Sequence, residues 1–166
     1  MIKAVVLDVD GTLTDGKINI NEKGELFKSF HVKDGFILAQ LKKMNIIPII
    51  ITGRNSPIVE YRAKELQIQE IYQGISDKLS CCTMALDRLS IKWEQVLYIG
   101  DDLNDLICMK QCGICACPQD AVQEIKNICS YISPYKGGEG AVRDCIEAVL
   151  KITGQWDKIQ FVYNRQ

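Results

Sequence analysis

Four short runs carry residue types that could do chemistry. Asp8-Val9-Asp10-Gly11 puts two carboxylates close together ahead of a glycine, whose freedom to turn lets both approach one point. Ile51-Thr52-Gly53-Arg54 offers a hydroxyl and exposed backbone N–H groups, a setting that can hold an anion. Lys78 follows Ser76-Asp77 in the first turn of an expected helix, where the helix dipole disfavours a cation, so it asks for an anionic partner. Gly100-Asp101-Asp102-Leu103-Asn104-Asp105 crowds three carboxylates that repel one another unless a cation or hydrogen bonds offset them. An all-oxygen set of this kind suits Mg²⁺. Singly, each run also reads as a strand-to-helix turn, a solvated lysine or a helix cap. Together they are far more specific, and describe an anion site beside a hard cation.

The elements that must position them are legible as an alternation. Short β-branched runs at 3–9, 46–52, 70–73, 96–100, 113–117 and 131–133 interleave with helical patterns at 35–44, 57–66, 77–89, 103–112, 121–128 and 140–152. Continuous apolar runs such as Ile46-Ile47-Pro48-Ile49-Ile50-Ile51 suit strands covered on both faces, although Pro48 prefers a strand start or an edge. Leu79, Cys82, Leu86 and Leu89 form one buried helical stripe, and Asp34, Ser56, Ser76, Asp102 and Asp120 stand where N-caps belong. The alternation predicts a doubly wound α/β domain with a mostly parallel, Rossmann-like sheet and its site at the strands' carboxyl ends. The segment 17–30 breaks the pattern and reads as a β-hairpin inserted after the first strand. Residues 1–153 are expected to form one domain, and 154–166, with weaker patterning, a tail.

Composition narrows the function. The 166 residues carry 20 basic and 21 acidic side chains, a net charge of −1, which lacks the basic excess expected of a nucleic-acid or membrane binder. No apolar run is long enough to span a bilayer, and Asp8 interrupts the start before a signal peptide could be completed, so a cytoplasmic address is expected. The eight cysteines then read as reduced. Cys108, Cys112, Cys115 and Cys117 cluster, but their spacing does not give the paired knuckles of a structural zinc site.

The order D-x-D-G-T, then T-G-R, then lysine, then G-D-D-x-N-D resembles the haloacid dehalogenase-like phosphohydrolase superfamily over nearly the whole chain. That resemblance implies Asp8 as the nucleophile that becomes an aspartyl phosphate and Asp10 as general acid and base. It implies Thr52 and Lys78 as holders of the transferring phosphoryl oxygens. It also implies Mg²⁺ on Asp8, the Asp10 carbonyl and Asp101, with Asp105 or Asp102 in support. Phosphorelay receiver domains combine similar residues, but their phospho-accepting aspartate ends a middle strand, where this chain has Thr52. A regulatory domain that keeps the fold without turnover usually lacks one of these acids, and all are present.

Neither the gap after Asp10 nor the gap between Thr52 and Lys78 has room for a cap domain. Asp10–Gly16, Phe30-His31-Val32-Lys33-Asp34-Gly35, Thr52–Ser56 and Lys136–Arg143 resemble the capless branch acting on 3-deoxy-D-manno-octulosonate 8-phosphate in lipopolysaccharide precursor synthesis. A related branch, acting on a nine-carbon keto-sugar acid 9-phosphate, has Glu where Arg54 stands. That resemblance implies a small phosphorylated sugar acid as substrate and a homotetramer in which neighbouring subunits complete the site. Gly11, Gly53, Arg54 and Arg62 are the expected substrate contacts, the arginines for the sugar acid's carboxylate. His31 is a further candidate contact. Phe36-Ile37 departs from the aromatic-glycine pair common in that branch.

Overall fold

Strand-to-helix alternation holds through the chain, with each predicted strand present and shorter at its ends. The computed structural model describes residues 1–163, arranged as β1 (Ala4–Leu7), β2 (Asn19–Asn21), β3 (Gly24–Phe27), α1 (Val32–Leu41), β4 (Ile47–Ile51), α2 (Pro57–Glu65), β5 (Glu70–Tyr72), α3 (Lys78–Arg88), β6 (Val96–Ile99), α4 (Leu106–Gln111), β7 (Ile114–Cys117), α5 (Gln123–Lys126), β8 (Tyr131–Ile132), α6 (Ala141–Ile152) and α7 (Asp157–Tyr163). Six strands form one sheet in the order β5-β4-β1-β6-β7-β8, with every pairing parallel. The chain moves outward from β1 to one side and then crosses back to the other, so β1 stands at the switch point. The loops leaving β1, β4 and β6 therefore diverge around a crevice at the carboxyl edge.

Alternation along β1 divides the core in two. Val5 and Leu7 face α1, α2 and α6 through Ile37, Leu38, Leu41, Val59, Val142 and Ile146. Ala4 and Val6 face α3, α4 and α5 through Cys82, Leu86, Met109 and Ile125, and the expected stripe on α3 packs there. Pro48 lies near the start of β4, opposite Val5, whereas β5 begins pairing only at Ile49, so the missing N–H costs no bond to β5. Ile37, the departure from the branch pattern, is fully buried.

Several caps differ from expectation. Ser56 caps α2, accepting from Val59 N at 3.4 Å. His31, not Asp34, caps α1, and Asp77, not Ser76, caps α3. Asp34 instead reaches across to α6, whose own cap is Gly140, and accepts from Arg143 N at 2.7 Å. Burial raises its carboxyl pKa. Asp102 accepts from Leu103 N in a turn, because α4 starts only after Asp105, and Asp120 accepts from Gly137 N rather than capping α5. Between β1 and α1 the chain inserts only the β2–β3 hairpin, and between β4 and α3 only α2 and β5, so neither place carries a cap domain. From residue 154 the chain packs back: Gln155 exchanges two hydrogen bonds with the backbone of Ile2, and Trp156 and Ile159 join the core.

Candidate active site

Asp8 follows the last residue of β1 and is almost fully buried. Its Oδ2 lies 2.9 Å from Lys78 Nζ, and its Oδ1 accepts from Val9 N at 2.7 Å. Lys78, at the first position of α3, also donates to Asp105 Oδ1 at 2.8 Å. The anionic partner that the helix dipole required is thus a pair of carboxylates. Asp105 Oδ1 further accepts from the Tyr98 hydroxyl at 2.8 Å, and its Oδ2 from Asp101 N at 3.3 Å. Thr12 donates to Asp101 Oδ1 at 2.9 Å.

Oxygen atoms of Asp8, Asp101 and Asp105 all lie within 4.8 Å of one another. Burial, with Asp105 adding to it, raises the Asp8 pKa to about 6 against the opposing pull of Lys78. Burial raises Asp101 to about 7, with Asp8 and Asp105 adding to it. Lys78 is raised as well: burial opposes its charge, but Asp105 and Asp8 outweigh it. One ammonium facing three carboxylates leaves two negative charges to be met, the charge of one divalent cation. The donors are all oxygen, and Gly11, at φ +92°, leaves room that a Cβ would take from Asp101 Oδ2. This set fits a hard ion such as Mg²⁺. Asp105, with both oxygens engaged, stands closer to the cluster than Asp102, which is exposed.

A cleft of about 320 Å³ opens above these groups, lined by Asp8, Asp10, Thr52, Gly53, Arg54, Asp101, Asp102 and Asn104. The crevice expected from the four sequence runs is therefore formed, with Lys78 beneath it. Arg54 is half exposed, its Nε 3.8 Å from Asp10 Oδ2. Arg62 is not brought there. It pairs with Glu65 at 2.6 Å and lies over the Phe30 ring, against Gly35. The helix α2 runs away from the carboxyl edge, so five residues carry Arg62 roughly 8 Å down its axis from position 57. His31 is likewise used locally as the α1 cap, against Gly140.

Two further residues at the site, Lys28 and Glu25, went unread in the sequence. Lys28 pairs with Asp10 Oδ1 and lies 3.0 Å from Glu25 Oε1, and Glu25 accepts from the Ser56 hydroxyl. Burial works against the Glu25 charge, but Ser56 and Lys28 outweigh it and hold its pKa low. Gly137 and Gly138 press on the loop after β1, where a Cβ on either would overlap the backbone of residues 11–15. Gly138 N donates to Thr12 O at 3.2 Å.

Comparison with known proteins gives this geometry a family. Residues 68–146 match the haloacid dehalogenase-like hydrolase family. The 3-deoxy-D-manno-octulosonate 8-phosphate phosphatase of Salmonella typhi is 38% identical over 157 residues, covering 95% of this chain and 84% of that protein. The chain belongs to the 3-deoxy-D-manno-octulosonate 8-phosphate phosphatase family.

Solved members superpose over nearly the whole length. The Moraxella catarrhalis phosphatase, crystallised with magnesium, phosphate and KDO, gives a TM-score of 0.91 at 40% identity and covers 99% of this chain and 94% of that one. The cobalt-bound Haemophilus influenzae phosphatase gives 0.89 at 35% identity, covering 93% and 91%. In this phosphatase the thiols stand apart from the cleft. All eight cysteines are free, and Cys82, Cys108, Cys115 and Cys117 belong to the core beneath α3, α4 and α5. Among the described residues no helix is long and apolar enough to cross a membrane.

Proposed function

We propose that this phosphatase hydrolyses 3-deoxy-D-manno-octulosonate 8-phosphate through an aspartyl phosphate on Asp8, in lipopolysaccharide precursor synthesis. The observation that carries the reading is the contact of buried Asp8 with Lys78 at the floor of a cleft that also presents Asp10. Asp8 attacks phosphorus and the ester P–O bond breaks, while Asp10 gives its proton to the leaving alkoxide. Asp10 then takes a proton from the water that attacks the phosphoaspartate, freeing Asp8 and inorganic phosphate. Lys78 and Thr52 hold the phosphoryl oxygens where charge develops. Asp8, Asp101 and the Asp10 carbonyl, with Asp105 in support, would hold Mg²⁺, which would offset the charge of acids and phosphate.

Arg54, on the cleft wall, is the residue best placed for the substrate's carboxylate, and Gly53 lines the cleft beside it, whereas Gly11 is not in the lining and serves the turn after Asp10. Arg62, pointing elsewhere, has no part in this reading. Residues 1–153 are the catalytic domain, and the segment after it packs back against that domain through Gln155, Trp156 and Ile159. Free cysteines fit a reducing cytoplasm. The hairpin exposes Ile18, Ile20, Leu26 and Phe27, apolar surface suited to burial between subunits of a homotetramer that completes the open cleft.

The test is phosphate release from the eight-carbon and nine-carbon sugar-acid phosphates, with Mg²⁺ and with chelator. The reading expects Mg²⁺-dependent preference for the eight-carbon ester, and Arg54→Glu to reduce kcat/KM more on that ester than on an aryl phosphate. Preference for the nine-carbon ester would replace the substrate assignment, and an equal loss on both esters would remove Arg54 from substrate choice.

A further inference from the structure

The hairpin segment has no chemical part in the reaction above, yet it delivers a buried cation to the proposed acid. Lys28 follows β3, and its side chain is 2% exposed. Its Nζ sits between Asp10 Oδ1 and Glu25 Oε1. Glu25 is fastened in turn by the Ser56 hydroxyl at the start of α2, with Arg54 Nη2 at 4.0 Å. Asp10 itself lies past the end of β1, in a turn before Gly11 at φ +92°, so no strand pairing fixes its side chain. Among the described residues its carboxylate is paired only with Lys28 and, at 3.8 Å, with Arg54.

We propose that Lys28 is a positioning residue for proton transfer: by gripping Asp10 Oδ1 it turns Oδ2 toward the Arg54 side of the cleft, where the leaving oxygen departs. Glu25 and Ser56 fix Lys28, so the hairpin's seat on α2 sets the acid's geometry. A buried ion pair is a weak stabiliser after desolvation, so its position beside the acid is better explained by orientation than by stability. Without Lys28, Arg54 is the one partner left to Asp10 among the described residues. The inference rests on the reading of Asp10 as general acid.

In the first step the ester P–O bond breaks, the phosphoryl group bonds to an Asp8 oxygen, and the leaving oxygen takes its proton from Asp10. A nitrophenolate leaves without that proton, whereas an alkoxide needs it. Single-turnover leaving-group release, measured by rapid quench with Mg²⁺ present, separates the two cases. Lys28→Met should slow release from an alkyl phosphomonoester about 100-fold and from 4-nitrophenyl phosphate less than about threefold, with Lys28→Arg recovering most of the loss. The nitrophenyl arm also reports an intact fold and nucleophile. Equal loss on both esters, or no loss on either, overturns the proposal. Asp10→Asn run in parallel tests its foundation. If that variant slows both esters alike, the general-acid reading itself fails, whatever Lys28 does.

Discussion

Two lysines, each with a side chain 2% exposed, each bridge two carboxylates, one of which comes from the segment that follows β1. Lys78 stands on α3 and joins Asp8, at the end of β1, to Asp105, at the start of α4 and bonded to Tyr98 of β6. Lys28 stands on an inserted hairpin and joins Asp10 to Glu25, both carried on turns or hairpin. The first node is built into the sheet that every doubly wound domain shares. The second is brought by the one segment that departs from that plan. The sheet fixes the group that attacks phosphorus, and the insertion fixes the group that meets the leaving oxygen.

The sharpest way to break this contrast is Lys78→Met. It should lower turnover by roughly 10²–10³-fold on every phosphoester, aryl or alkyl, because charge on the phosphoryl group develops whatever leaves. It also leaves Asp8 and Asp105 facing each other without a buried cation, at a cost of about 3–5 kcal/mol in chemical unfolding. A loss confined to alkyl esters would erase the distinction between the nodes.

A second effect belongs to the Asp8 side alone. In chelator, folded Asp8 and Asp101 titrate near 6 and 7, above the unfolded carboxyl value of 3.8. The folded state then binds more protons than the unfolded state between those values, so stability falls as pH rises from about 4 to 7. The fall should be on the order of a few kcal/mol in urea titrations, and Mg²⁺ should reverse it most strongly at the upper end. Stability that rises over that interval in chelator would contradict the uncompensated cluster.

Much of the Lys78 node was legible because each of its members ends a strand or starts a helix in a recognisable run. Asp8, Asp101 and Lys78 stand where apolar periodicity stops; each has an ordinary structural explanation alone, and it is their combination at successive strand ends that points to a site. Tyr98 went unread because it lies inside β6, where an aromatic is ordinary strand filling. Glu25 and Lys28 fall within the segment read as a hairpin, and charge on a short exposed hairpin is usually solvated, so nothing marked them out. Only the fold brings Ser56 and Asp10 to them. Asp34 was read locally as a cap, whereas its partner lies 109 residues away on α6. Local rules cannot see that distance.

Smaller effects sharpen the account at its edges. Gly137→Ala would push a Cβ into the Gly11 carbonyl and disturb the loop between the two nodes. It should cost about 1–3 kcal/mol, read as a fall in Tm, with turnover reduced on all esters. Arg62→Ala, outside the cleft, should leave kcat/KM on the sugar-acid ester within about twofold and stability within roughly 1 kcal/mol. A tenfold rise in KM would instead bring Arg62 into a substrate site.

The nucleophile itself can be caught directly. Acid quench during turnover of the octulosonate ester, followed by borohydride reduction and peptide mass spectrometry, converts an aspartyl phosphate to homoserine at the residue that carried it. The account predicts homoserine at position 8 in the wild-type protein and neither product nor turnover in Asp8→Asn. Turnover with position 8 unmodified and the phosphoryl group trapped on another residue would contradict it.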